Sequence, residues 1–463
     1  MKSLFWLTVA VVLSAVFAVS GCVTQPDAPA LDRGLPVAWQ NPGLSRTDDA
    51  STTVTTWWSA FGNPQLDELV RLALAQNLTL AIAGERVRAA RALAAHGSDL
   101  FRPTVSFRAA PAASVETTAN FYQAGFDARW ELGLFGQQQG VAEMAVADAG
   151  IALAREHGAR VTLVADVVRA WIGVRAGVAR LDALDAALGA ARKSADLNGI
   201  LLRTGQISAL LAHQSLDAED ALISSRAQQR ALLDNHSQQL ALLIGRTSID
   251  PGWLAERTPL STDASLDATP ADLLRYRPDI AEAEQAVLRA AGDAGLARAA
   301  LYPHLSLVGT LGYSMRVSGT SATRTQGLAA FGPVIDIPLF DWGWRRAVVD
   351  ARDADLRAAV LAYRQAVLEG YAEAQSALGT FSAQRERAAA LRSTLERRVQ
   401  ETRAAEKLAT LGRASELDIW AARSHELAAQ IDLSECDEAV GQAFIAFYKA
   451  MGGAPLPATE AAG

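Results

Sequence analysis

Few residues in this chain are of a type and spacing that could do chemistry. The six histidines, His96, His157, His213, His236, His304 and His425, form neither a zinc-ligand spacing nor a His-x-x-x-His pair on one helical face. No phosphate-cradling glycine loop, dinucleotide fingerprint or nucleophile elbow occurs. Carboxylates are frequent on the predicted helices, and no spacing in the sequence fixes a partner for them, so they are expected to be solvated faces. These residues imply no enzyme, no cofactor and no metal site.

Cys22 is the exception, because its surroundings invite covalent modification. One cation, Lys2, precedes an apolar run from Leu4 to Val19 that is too short and wrongly flanked for a stable membrane span. The run closes on Val19-Ser20-Gly21-Cys22, which resembles the lipobox where bacterial lipoproteins are cleaved and acylated. The resemblance implies a signal peptide over residues 1–21 and a lipid such as palmitate on Cys22; Val23, rather than Asp, implies sorting to the outer membrane. The only other cysteine, Cys436, then has no disulfide partner, so stability must come from packing.

Half of the 463 residues are apolar, enough for one large core or two ordinary ones. A net charge of -7 and a pI near 5.5 argue against a nucleic-acid surface. After residue 22 no apolar run is long enough for a membrane helix, so a membrane crossing would have to use strands.

Residues 22–56 are rich in Pro, Gly, Ser, Thr and Asp without hydrophobic period and read as an extended tether. The body then states one plan twice: residues 57–250, a linker over 251–269, and residues 270–453, ahead of an Ala/Pro/Gly-rich tail at 454–463. Val87-Arg88-Ala89-Ala90 recurs as Val287-Leu288-Arg289-Ala290, and Pro103-Thr104-Val105-Ser106 as Pro303-His304-Leu305-Ser306, both at an offset of 200. Leu134-Phe135 matches Leu339-Phe340 at 205; Gly205-Gln206-Ile207-Ser208 matches Gly412-Arg413-Ala414-Ser415, and Gly245 matches Gly452, at 207. An ordered, slowly drifting offset is the mark of tandem duplication.

Proline placement predicts the elements. None interrupts Ala112 to Asp250 or Leu339 to Ala454, and both stretches are filled with strong helix formers. A continuous helix over Gly140–Arg203 would be about 95 Å long, with a twin from Gly343 to Thr410. A bundle of shorter helices broken by unmarked turns has the same composition. Gly205 and Gly412 mark the reversals that follow, where glycine can take the left-handed conformation that ends a helix.

Between the helices the period changes to two. Strands are predicted near 103–113, 121–132, 304–317 and 327–338, the last interrupted by Gly332-Pro333. Four strands cannot close a barrel, and lipid leaves open-edge amides unpaired at several kcal/mol each. Copies of the chain must therefore complete the sheet. Two copies give a filled barrel; three give twelve strands and room for water beside Gln123, Asp127 and Arg129.

Several runs resemble the TolC-like outer membrane factors, and within them the lipoprotein branch of OprM and the NodT group. They are Trp57 to Leu66 (WWSAFGNPQL), Asn77-Leu78-Thr79-Leu80, Arg277-Pro278-Asp279-Ile280, Tyr302 to Leu307, Gly332 to Arg346 and Tyr448 to Gly453. The resemblance implies an α+β membrane protein: a homotrimer with a twelve-stranded outer-membrane barrel continued by a long periplasmic helical barrel, with an equatorial domain in which tandem Trp57 and Trp58 would pack. It implies an exit duct for solutes delivered by an inner-membrane pump, most often RND-type, through a periplasmic membrane-fusion adaptor, in efflux or type I secretion. The tips Thr204, Gly205, Gln206, Ile207, Ser208 and Leu411, Gly412, Arg413, Ala414, Ser415 would then meet the adaptor. Asp418 falls where some members carry an aspartate of the periplasmic gate, although the second gate position is Ala421 here and the counterpart in the first repeat is Leu211. A structural or adhesive coiled-coil lipoprotein would explain the anchor and the Ala-rich helices but leaves the amphipathic strands without a purpose.

Overall fold

The computed structural model describes residues 31, 34–36, 39, 40, 54–114, 119–255, 270–317 and 325–455. The signal segment, Cys22, most of the tether, linker residues 256–269 and tail residues 456–463 lie outside them. The elements run α1 (Pro64–Gln76), α2 (Leu78–Ala95), β1 (Thr104–Ser114), β2 (Ala119–Glu131), α3 (Gln137–Arg203) and α4 (Ala209–Leu243). The same order follows as α5 (Pro270–Tyr276), α6 (Pro278–Ala299), β3 (His304–Val317), β4 (Thr325–Asp336), α7 (Trp344–Thr410) and α8 (Glu416–Ala450). The long helices are unbroken: α3 and α7 have 67 residues each, α4 and α8 have 35 each. No described helix is long and apolar enough to cross a membrane.

Two compact units form. One holds Glu85–Leu153 and Ala281–Gln365, centred on a four-stranded sheet in the order β1-β2-β3-β4. Every neighbouring pair is antiparallel, and the registers keep like faces together: Phe107 faces Phe126, Phe126 faces Leu311, and Gly309 faces Phe331. Strand β4 runs straight through Gly332-Pro333, with Pro333 opposite Leu307. Proline is tolerated there because β4, like β1 with Pro111, is an edge strand within the chain.

The other unit is helical in its described residues, which fall within 33–84, 154–280 and 366–463. Its seams use small residues. Gly173 and Gly177 of α3 let His236 and Leu233 of α4 lie directly on the backbone, and Gly441 of α8 admits Ile172. Arg180 of α3 bridges both neighbours, donating to Gln229 Oε1 of α4 at 3.1 Å and Glu438 Oε2 of α8 at 2.8 Å. Trp57 is fully buried, stacks on Tyr448 at 5.6 Å, and donates from Nε1 to Gly453 O at 2.9 Å; Trp58 packs edge-on beside it. Packing begins upstream of that pair, since Trp39 stacks on Tyr371 at 5.6 Å.

Within this unit the duplication survives as two equivalent clasps. All four antiparallel long helices end alike: Gly205, Gly245, Gly412 and Gly452 have φ between 68° and 74°, and paired backbone bonds close each end as a Schellman motif. Gly245 packs on Gln76 O and Gly452 on Tyr276 O. Beside each, the residue joining the two short helices holds a terminal carbonyl. Asn77 Nδ2 donates to Leu243 O at 3.0 Å in the first repeat, and Arg277 Nη1 donates to Ala450 O at 2.7 Å in the second. His157 Nε2 also donates to Tyr276 O, at 2.9 Å.

The backbone moves one sequence correspondence. Phe135-Gly136 and Trp342-Gly343 have matching left-handed conformations just before α3 and α7, an offset of 207. The Leu134-Phe135 match to Leu339-Phe340 at 205 gives way to this one, because backbone conformation rather than residue identity defines the turn. A Cβ on Gly452 would lie 2.2 Å from Tyr276 O, whereas one on Gly205 meets nothing. Gly452→Ala should therefore lower stability by on the order of 3 kcal/mol and Gly205→Ala by about 1, the cost of φ alone, read as thermal unfolding of the detergent-solubilised protein.

Candidate functional site: a polar sheet face and two hairpin tips

The sheet has one apolar and one polar face, as the pleat requires. Phe107, Phe126, Leu311, Tyr313 and Phe331 lie on the apolar face, and Phe331 is 82% exposed. A contiguous exposed face of this kind needs a covering that water does not supply. The opposite face carries Ser106, Arg108, Gln123, Asp127, Arg129, Glu131, Thr310 and Asp336. Asp127 sits at its centre, accepting from Thr310 Oγ1 at 2.9 Å and lying 3.7 Å from Arg108 Nε. Gly125 and Gly312 face each other beside it, and a Cβ on Gly125 would lie 2.5 Å from Gly312 Cα, so the backbones meet closely there. Such a face can line a water-filled passage and orient ions.

The tips are built from the same parts in both repeats. In the first, Gln206 N donates to Leu201 O at 2.8 Å and Gly205 N to Leu202 O at 3.0 Å; Ser208 then starts α4, its Oγ accepting from Leu211 N at 3.5 Å. Thr204 Oγ1 donates back toward Ile200 O and Leu201 O, while Ile207 is half-buried. In the second, Arg413 N donates to Leu408 O and Gly412 N to Ala409 O; Leu411 is 64% exposed and Ala414 half-buried. Leu210 and Leu211 are also exposed, at 66% and 51%. Each tip thus presents leucine to solvent beside a turn closed by paired backbone bonds.

The structure places Asp418 in a capping box. Ser415 donates from its N and Oγ to Asp418 Oδ2 at 2.8 Å each, and Asp418 N returns a bond to Ser415 Oγ at 3.2 Å. The bonds from Ser415 hold the Asp418 carboxyl below the usual carboxylate range. Its spacing, Ser-x-x-Asp ahead of an apolar run, was a readable signal for this cap. Arg277 was less readable: beyond its bidentate bonds to Asp279 it reaches Glu373 Oε2 at 2.7 Å, a partner 96 positions away. Among the described residues no group of three or more His, Cys, Asp or Glu could hold a metal ion.

A family model described as outer membrane efflux protein matches residues 69–246 and 269–453, once per repeat and over more than half of the chain. Nodulation protein T of Rhizobium leguminosarum bv. viciae is 28% identical, with 90% of this chain and 87% of the relative covered. The antibiotic efflux pump outer membrane protein ArpC of Pseudomonas putida is 27% identical over 98% and 96%. Among solved structures, the outer-membrane channel OprN superposes with a TM-score of 0.79 at 26% identity, covering 94% of this chain and 100% of that one. The open-state MtrE channel of Neisseria gonorrhoeae gives 0.79 at 22% identity over 94% and 99%, a likeness of fold.

Because the folded pKa of Asp418 is depressed, its contribution to the tip is complete above the ordinary carboxylate pKa, about 3.9, and is lost as pH falls through the folded value. Limited acid proteolysis should therefore open the tip around Ser415 more readily as pH drops below about 4, with no matching step at Ser208, whose N3 residue is Leu211. Matching the family in both repeats, with a channel fold to match, this chain belongs to the outer membrane efflux protein family and is an outer-membrane channel protein of efflux.

Proposed function

We propose that this chain is the exit duct of a tripartite efflux system, working as a homotrimer. The observation that carries the reading is the sheet: four strands in register, apolar on one face and polar on the other, with the outer edges of β1 and β4 unpaired among the described residues. Three copies give a closed twelve-stranded barrel with the apolar face toward lipid and Asp127 and Arg108 toward a wet lumen. A coiled-coil surface lipoprotein has no use for such a sheet. The passage is passive, and an inner-membrane pump, RND-type in this proposal, delivers solute through a periplasmic adaptor. The two tips dock that adaptor through their exposed leucines, Leu210, Leu211 and Leu411. ArpC is named for antibiotic efflux, and OpmQ of Pseudomonas putida, 26% identical, for pyoverdine export. Cargo here is set by the pump, since a water-filled duct needs no shaped pocket.

Cys22 carries the lipid that holds the first mature residue at the outer membrane. Cys22→Ser should abolish metabolic labelling with a palmitate analogue while leaving the trimer intact; persistent labelling would place the lipid elsewhere or remove it from the proposal.

Asp418 is proposed as a gate residue, one of three carboxylates brought together by the trimer. A ring of like charges attracts cations and resists full ionisation. In planar bilayers the purified trimer should conduct, and a silent monomer ends the reading. Asp418→Ala should raise single-channel conductance or abolish a cation preference, whereas Ser415→Ala, which removes one of the two bonds to the carboxylate but keeps its charge, should change either one less. Unchanged Asp418→Ala traces remove it from the gate, and equal effects of the two substitutions assign it to the cap.

A further inference from the structure

We infer that the open edge of β4 pairs with the open edge of β1 of a second copy of this chain in one defined register, with Asp336 opposite Arg108 of the partner subunit and Pro333 opposite Pro111 of the partner subunit. The inference rests on the homotrimer proposed above and specifies its seam.

The register comes from the duplication. Thr104 faces Arg129 in the first hairpin and His304 faces Asp336 in the second, so β1 maps onto β3 at an offset of 200 and β2 onto β4 at 207. The same 207 relates α3 to α7 and α4 to α8. Within the chain the two repeats already meet edge to edge through β2 and β3, where Arg129 faces Val308 and Phe126 faces Leu311. Applying the repeat step once more carries Arg129 to Asp336 and Val308 to Arg108, then Phe126 to Pro333 and Leu311 to Pro111.

Three features not used to derive this register agree with it. The pairing keeps faces together: Ile335 meets Ala109 on the apolar side, and Asp336 meets Arg108 on the polar side with opposite charge, both exposed. The prolines also fit. Leu132 N donates to Leu305 O, which sets the phase of the ladder: even-numbered residues of β2 bond to β3, so odd-numbered residues of β1 and β4 turn their backbone groups outward. Pro111 and Pro333 are both odd and both lack the outward donor. Opposite each other, they confine the loss to one rung and leave the others complete.

The third feature lies beyond the strands. Phe135, with φ 57°, stacks on Tyr302 at 5.0 Å and 16°. Their counterparts under the repeat step are Trp342, with φ 59° and 89% exposed, and Arg102 of the partner subunit. A guanidinium plane over an indole is a favourable replacement for ring on ring.

The test is disulfide trapping in a Cys436→Ala background. Arg108→Cys with Asp336→Cys should give a covalent trimer on a non-reducing gel, because a directly opposed non-hydrogen-bonded pair has its Cα atoms about 4.5 Å apart, within disulfide reach. Asp336→Cys paired instead with Ser106→Cys or Ala110→Cys should not cross-link, since two residues of slip add about 6–7 Å along the strand. Cross-linking at a slipped pair, or at none, in a protein that native mass spectrometry shows to be trimeric overturns the register and leaves the trimer standing. A monomer in the mass spectrum overturns both. For the flanking contact, Trp342→Ala and Arg102→Ala should each lower the dissociation temperature of the trimer, with the double variant falling no further than the worse single one; additive losses overturn the Trp342–Arg102 stack.

Discussion

A strand edge carries a row of N–H and C=O groups that lipid cannot satisfy, and this constraint shapes the rest of the molecule. Within one chain β2 and β3 satisfy each other across the junction of the two repeats, while among the described residues nothing pairs with the outer edges of β1 and β4. A chain so built cannot be content in a membrane by itself. The apolar outer face makes the same demand, for Phe331, Tyr313 and Leu311 are exposed in the single chain and are stable only where hydrocarbon replaces water. Oligomer and membrane are thus two consequences of one sheet.

Duplication is how the chain meets that constraint economically. One helix–hairpin–helix plan supplies two strand pairs and two long helical hairpins, and the contact that joins the repeats can be used again between copies. The repeats agree where backbone conformation is decisive and diverge where side chains suffice. Glycine stands at all four long-helix ends, with φ near 70°, because a Cβ is strained there. The clasp onto the terminal carbonyl, by contrast, is made by Asn77 in one repeat and Arg277 in the other, since any donor of suitable reach will serve. Arg277 additionally ties in Glu373, which makes the second clasp a three-way junction.

What was legible in the sequence followed from local rules. Helix extent came from proline placement, and the true starts at Gln137 and Trp344 lie within three residues of the expected ones. The reversals at Gly205 and Gly412 came from the need for a left-handed residue. Strand β4 was the hard one, because Gly332-Pro333 speaks against a strand unless the strand lies at an edge, and edge position is a property of the sheet rather than of the segment. The left-handed Phe135 and Trp342 had no local signature, since bulky residues rarely adopt that conformation and only the surrounding fold enforces it. Arg180 carries no local signal either, since its partners Gln229 and Glu438 lie 49 and 258 positions away, beyond any spacing rule.

The two repeats differ at the start of the returning helix, and the difference bears on how a passive duct could be controlled. Both begin with a serine cap, Ser208 and Ser415, but only the second completes a capping box, through Asp418. A carboxylate that accepts two hydrogen bonds from Ser415 is held in place while remaining exposed and ionised. Those bonds occupy one of its oxygens, Oδ2, so its charge is still available to solvent. The cap therefore makes Asp418 a better candidate for a charged ring than a freely rotating side chain would be. A mobile carboxylate would give up rotamer freedom to join such a ring, whereas this one has already given it up on folding. Leu211 donates its backbone N–H to Ser208 but has neither a returning carboxylate bond nor a charge, so any such ring would contain three groups rather than six, spaced at alternate hairpins and separated by leucine.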